Sequence, residues 1–144
     1  MPTDHDARTA RVVQFYEHLN PAALARLSDI YTDDARFKDP FNRVQGLAQI
    51  ERVFQHMFNT LNQPRFKVFS TLTQGNEAWL TWDFIIQRPQ GEWRLHGATR
   101  LQYAADGRIM LHRDYWDPAE ELYARLPVLG PLVRWLTRRL SASA

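Results

Sequence analysis

The chain is 144 residues long, 44% hydrophobic and 12% aromatic, which is enough for one domain with its own core and too apolar for a disordered segment. It contains no cysteine, which excludes disulfides, thiol nucleophiles and cysteine-ligated zinc or iron–sulfur sites. The formal net charge is only +2, and the late arginines that cluster, Arg134, Arg138 and Arg139, come with no recognition motif, so no nucleic-acid partner is expected.

The spacing predicts a first helix over residues 4–19, opened by a Thr3/Asp6 pair resembling a capping box, with Val12, Val13, Phe15, Tyr16 and Leu19 as its apolar stripe. Asn20 and Pro21 then read as the cap and first residue of a second helix, with Leu24, Leu27 and the end Ile30–Tyr31 turned inward. A short strand, 35–39, follows. Gly46 allows a turn into a third helix over 47–61, whose Leu47, Ile50, Val53, Phe54, Met57, Phe58 and Leu61 recur three or four apart.

Beyond Pro64 the period changes from 3.6 to 2. Strands are expected at 65–73, 77–88, 92–104 and 108–117, separated by Gln74-Gly75-Asn76, Pro89-Gln90-Gly91 and Ala105-Asp106-Gly107. Three helices followed by a long antiparallel meander imply an α+β domain, a curved sheet closed on one face by helices around a conical cavity. That domain is expected over residues 1–118. A helical extension, 119–144, with helices over AEELYARL and PLVRWLTRRL, is expected to pack on it rather than to serve as lid, subunit contact or membrane-surface helix. The start MPTDHDARTA lacks a secretory pattern, and no apolar run reaches spanning length, so a cytoplasmic protein without a stable membrane anchor is expected.

The stretch YTDDARFKDPFNRVQG, residues 31–46, carries the first chemical signal. In a strand over 35–39, Phe37 and Asp39 share a face, and Pro40 ends the pairing. Two readings stand. Asp39 lies in an apolar pocket, where a carboxyl becomes a usable proton acceptor, or it caps the turn after Pro40. On the last strand, alternation sends Met110, His112, Asp114 and Trp116 to the cavity and Leu111, Arg113, Tyr115 and Asp117 away from it. Asp83 should also point outward, and with Arg113 should pair or meet a second subunit. Asp39, His112 and Asp114 have no familiar ligand spacing, so no metal and no cofactor are expected.

The order helix–helix–strand–helix–four strands, with YTDDARFKDP in the first strand, resembles the SnoaL-like superfamily, also named for nuclear transport factor 2, over roughly residues 8–117. Within it the chain is most similar to the bacterial ketosteroid isomerases. VVQFY resembles the isomerase helix that carries an oxyanion-donor tyrosine, which implies that role for Tyr16. The run D-D-A-x-x-x-D-P resembles the segment ending in the general base, which implies Asp39, and GNEAW running into LTWDF resembles the strand whose aromatic lines the steroid pocket, here Trp82. The isomerases' second oxyanion donor, a protonated aspartic acid, is matched by Thr99.

His112 and Asp114 resemble other branches of the superfamily. Polyketide cyclases place an acid/base carboxylate on a late strand, and scytalone-type dehydratases pair a histidine with a carboxylate. The resemblance thus implies a cone-shaped α+β barrel that binds a small hydrophobic carbonyl compound. Asp39, Tyr16, His112 and Asp114 would be catalytic, with Phe37, Phe54, Trp82, Phe84, Thr99 and Trp116 against the ligand. The reaction implied is isomerisation, dehydration or cyclisation without a cofactor, in a homodimer formed through the outer sheet face. The alternative from another class is a non-catalytic ligand-binding or dimeric accessory domain.

Overall fold

The computed structural model describes residues 5–121 and 129–140. Helix α1 is Ala7–Glu17, with Asp6 as its N-cap, accepting from the backbone N–H of Arg8 and Thr9. The expected cap Thr3 lies outside the described residues. Asn20 does cap the next segment, which is a 3-10 turn, Pro21–Arg26, running into a single α-turn, α2 (Leu27–Ile30). Helix α3, Leu47–Thr60, starts at Gly46, whose φ of +95° suits glycine and makes room for the reversal out of β2.

Six strands form one sheet: β1 (Tyr31–Lys38), β2 (Arg43–Gln45), β3 (Arg65–Gln74), β4 (Glu77–Arg88), β5 (Gly91–Tyr103) and β6 (Ile109–Tyr115), in the order β2-β1-β6-β5-β4-β3. Every pairing is antiparallel except β1 with β6, which is parallel. Irregularities in register interrupt β3–β4 at Val68/Ser70, β5–β6 at Gln102/Tyr103 and β1–β6 between Tyr31 and Arg36. Such bulges bend strands and raise the local twist, which lets one sheet curl around the helices. At the first of them the freed Val68 N–H donates to the Glu17 carboxylate, 3.1 Å away.

The helices bury Val12, Tyr16, Leu24, Leu27, Ile50 and Phe54 against Tyr31, Phe37, Leu80, Trp82, Leu101 and Ile109 of the sheet. This is the curved, mostly antiparallel α+β cone that the sequence implies.

Four details differ from expectation. The first strand begins four residues earlier, at Tyr31, and ends at Lys38, so Asp39 lies past it. A short β2 occupies what reads as a turn. The last strand stops at Tyr115, and the Asp117 carboxylate instead accepts from the N–H groups of Ala119 and Glu120 to open α4 (Pro118–Glu121). Met110 is 43% exposed while Ile109 is buried, because the irregularity beside Gln102 flips the alternation before His112.

Part of the AEELYARL helix falls outside the described residues. Helix α5, Leu129–Leu140, leaves Leu132, Trp135, Leu136 and Leu140 exposed. Among the described residues no helix is long and apolar enough to cross a membrane.

Candidate functional site

Between the helices and the concave face of the sheet lie two adjoining chambers. The inner one holds about 30 Å³ and is walled by Val12, Tyr16, Leu80, Thr99, Leu101 and His112, among others. The outer one holds about 370 Å³ and is lined by Asp39, His56, Met57, Phe84, Trp93 and Trp116, among others. Phe37, Phe54, Phe66, Trp82 and Asp114 border both. Phe37, Phe54, Phe66 and Trp82 form an aromatic collar, with Phe37 against the His112 ring at 4.6 Å and Phe66 edge-on to Trp82 at 5.8 Å.

A chain of hydrogen bonds runs through the inner chamber. The Trp82 indole N–H donates to Thr99 Oγ1 at 2.7 Å, and Thr99 Oγ1 donates to Asp114 Oδ1 at 2.6 Å. His112 Nε2 lies 2.6 Å from the same oxygen, and His112 Nδ1 lies 2.8 Å from the Tyr31 hydroxyl and 3.2 Å from the Tyr16 hydroxyl. The two phenols are hydrogen-bonded to each other.

Donor chemistry fixes the direction from one end. An indole N–H can only donate, so the Thr99 proton is left for Asp114. With a carboxylate there, His112 donates from Nε2 and accepts at Nδ1 from a phenol, a tautomer assigned from its partners. Asp114 Oδ1 thus collects donors from both sides, while Oδ2 has no hydrogen-bond partner among the described residues. His112 is 2% exposed and Tyr31 fully buried.

Burial, chiefly, raises the Tyr16 phenol well above its ordinary 10.0, with Tyr31 and Asp114 adding to the effect. Burial likewise raises Tyr31, against the opposing hydrogen bond from Tyr16. A phenol raised by the fold stabilises it fully below the unfolded value of about 10, and this stabilisation is lost as pH climbs beyond it. We expect the melting temperature to fall above about pH 10, with the tyrosinate absorbance of these two residues appearing only as the protein unfolds. Their titration in a chain that keeps its native near-ultraviolet circular dichroism would contradict the buried network.

Asp39 is placed differently. It lines the outer chamber, but its Oδ1 accepts from the N–H groups of Phe41 and Asn42 at 2.8 and 2.6 Å, and the Asn42 amide reaches both oxygens at 3.1 Å. With Asp39 N–H donating to Asn42 O at 2.9 Å, it closes the turn after β1. Phe37, Phe54 and Trp82 line both chambers, Phe84 and Trp116 the outer one and Thr99 the inner one. Tyr16, His112 and Asp114 meet in the inner chamber, and Asp39 stands apart from them at the outer wall.

Asp83 is on the outer face as expected but is 3% exposed and pairs with His96 and Arg94 on β5, whereas Arg113 lies over the Tyr115 ring at 4.9 Å. Register explains this. His96 is directly opposite Asp83, while Arg113, on β6, is opposite Arg100, with β5 between it and β4.

Sequence reasoning missed Tyr31 and Asn42. Counting back by twos from Phe37 passes through the exposed Asp33, so the register break between Tyr31 and Arg36 hid Tyr31 from the alternation. Nothing in the sequence signals that Gly97 faces Trp82. A Cβ there would lie 2.4 Å from the indole, so the missing side chain is what lets Trp82 lie flat across β5 and reach Thr99.

The profile of the SnoaL-like domain matches residues 12–112. No curated protein sequence matches at a significant level. Among solved structures, the fold is similar to a protein of ketosteroid isomerase-like fold from Catenulispora acidiphila, in complex with trimethylamine (15% identity, TM-score 0.68, 84% of this chain and 92% of that one). It is similar to a nuclear transport factor 2-like protein of unknown function from Burkholderia pseudomallei (15% identity, TM-score 0.69, 80% of this chain and 94% of that one). A third is a protein provisionally named a SnoaL-like polyketide cyclase, from Jannaschia sp. CCS1 (15% identity, TM-score 0.66, 81% and 92%). At these identities the likeness is one of fold.

Proposed function

The chain belongs to the SnoaL-like domain family, and on that premise we propose that it binds a small hydrophobic carbonyl compound in the two-chambered cavity and moves a proton on it. One observation carries the reading: Asp114 is the ionisable side chain that borders both chambers among the described residues, with Oδ1 anchored by Thr99 and His112 and Oδ2 left unengaged. A carboxylate so held is a positioned base, and positioning together with proton transfer is what an α-deprotonation requires.

The size of the chambers supports one orientation of the substrate. An outer volume of about 370 Å³ with aromatic walls takes the apolar body, and an inner volume of about 30 Å³ takes little more than a carbonyl oxygen. There the phenol of Tyr16 is the donor nearest the oxyanion that develops as the α-proton leaves, and His112 holds the phenols and Asp114 in line. For a β,γ-unsaturated ketone, Asp114 takes the α-proton, the electron pair passes into the dienolate, and the proton returns at the γ-carbon, so that the bond moves and nothing is consumed. Asp39 is a second carboxylate on the outer wall, in reach of the body of the ligand rather than of its carbonyl end. Dehydration or cyclisation would use the same first step.

The test is ultraviolet absorbance of a β,γ-unsaturated 3-ketosteroid becoming conjugated, beside calorimetric binding of the conjugated ketone. Turnover supports proton transfer at this site. Tight binding without turnover of this or of other enolisable ketones would leave the alternative, a ligand-binding domain without chemistry.

A further inference from the structure

We propose that the cavity selects for positive charge, so that the carbonyl compound it takes carries a tertiary or quaternary ammonium group on its apolar body. This rests on the reading of the cavity as a ligand site and deepens it. Eight phenylalanine and tryptophan side chains line the outer chamber, together with two carboxylates, Asp39 and Asp114. Neither chamber has a lysine or arginine among its described lining residues. The chain as a whole carries 18 lysines and arginines against 16 acids, so the charge of this wall departs from the composition of the chain.

Both carboxylates are held by uncharged donors. Asp39 accepts from the N–H groups of Phe41 and Asn42 and from the Asn42 amide. Asp114 accepts from Thr99 and from His112, which is the neutral tautomer because its other nitrogen accepts from a phenol. A neutral ligand closing over them would take two charges out of water with nothing to offset the cost, whereas a cation offsets it.

The rings supply the place. Phe41 and Trp116 meet at 5.5 Å with their planes 74° apart, and Phe41 is 55% exposed. They bound a corner at the chamber's edge beside Asp39, whose carboxylate holds the Phe41 N–H. The negative faces of aromatic rings attract an ammonium, and its alkyl groups bury apolar surface against them. One wall ring already takes a cation in this way: Arg88, which does not line the chamber, lies 4.7 Å over Trp93. The four hydrogen bonds already made to Asp39 leave charge rather than a donor contact as its offer, which suits an alkylated ammonium better than a primary amine or a guanidinium.

The test is calorimetric titration with two ketones of matched shape, 4-acetyl-N,N,N-trimethylanilinium chloride and 4-tert-butylacetophenone, at low and at moderate salt. His56 also lines the chamber, so the buffer is set at pH 8, where a free imidazole is uncharged. The cation should bind at least about tenfold more tightly than its neutral twin, with the difference shrinking as salt rises. Phe41→Leu and Asp39→Asn should each weaken the cation about fivefold and the neutral ketone by less than about twofold, while Phe41→Tyr, which keeps the ring face, should bind like the wild type.

A neutral twin held as tightly as the cation would overturn the proposal and leave the proton-transfer reading in place. So would a preference for the cation that survives both Phe41→Leu and Asp39→Asn, since the charge would then be read elsewhere. No binding of the cation overturns it outright, and binding of the 3-ketosteroid then decides the other reading separately. A cation held tightly through Phe41 and Asp39, with no exchange of its α-hydrogens for deuterium, would support this proposal and count against proton transfer.

Discussion

Asp114→Asn is expected to lower kcat for enolisable ketones by about a thousandfold, with KM changed little, because a positioned general base contributes on the order of 10²–10⁴ in rate. The amide keeps the shape and still offers Thr99 an oxygen, so the loss would report chemistry rather than folding, provided near-ultraviolet circular dichroism matches the wild type. Asp39→Asn is expected to cost less than about tenfold, since Asp39 already accepts four hydrogen bonds within its own turn. The comparison is decisive in both directions. A thousandfold loss at Asp39 with Asp114→Asn nearly silent would move the base to the outer wall, where the resemblance to the ketosteroid isomerases puts it. His112→Gln should fall between the two, because it removes an anchor of Asp114 and the acceptor that positions the two phenols while leaving Thr99 in place.

The second large effect is expected at a residue with no side chain. Gly97→Ala places a methyl 2.4–2.9 Å from three carbons of the Trp82 ring. The indole has little room to retreat, because Phe66 stands edge-on to it and its N–H is tied to Thr99. Overpacking a filled wall costs about 1–3 kcal/mol, and the upper end suits a rigid ring flanked by other aromatics. At about 3 kcal/mol the melting temperature of a chain this long should drop on the order of 10 °C. Turnover should fall as well, since a displaced indole leaves Thr99 free to rotate off Asp114. Gly97→Ala combined with Trp82→Phe should recover most of the stability and none of the lost positioning. A Gly97→Ala protein that melts like the wild type would mean that the ring swings aside at no cost, and that the Trp82–Thr99 bond does not hold Asp114.

The sequence was most legible where one signal acted alone. Strands β3 to β5 are bounded by glycine and proline turns, and their observed limits agree with expectation to within one residue at either end. Helix α3 was equally plain, because its apolar residues recur over four turns. Errors arose where two local preferences overlapped. Ile30 and Tyr31 continue a helical spacing and also start a strand, and the packing of Tyr31 on His112 decided for the strand. Met110 was misplaced because a one-residue irregularity reverses every later side chain, and irregularities leave no mark in composition. Asp39 could be read as cavity wall or as turn cap, and the structure makes it both. The bond from His112 to Asp114 was foreseeable, since they are two apart on one strand. The links to Tyr31, Thr99 and Trp82 were not, because they depend on which strands become neighbours.

One parallel pairing has a kinetic meaning. Strand β1 pairs with β6 across the whole meander, so Phe37 lies beside His112 with 74 residues between them in the chain. Hairpins β3–β4 and β4–β5 close over short loops and can form early, whereas so distant a pairing must first meet the entropy of a long loop. The hydrogen-bond chain takes Tyr16 and Tyr31 from one side of that seam and His112 and Asp114 from the other. The site is therefore assembled by the last seam to close. A ribosome-bound chain lacks His112 and Asp114, the groups proposed to handle the proton, until residue 114 emerges, and the regain of any ketone turnover on refolding should track the slowest phase rather than the burst in strand signal.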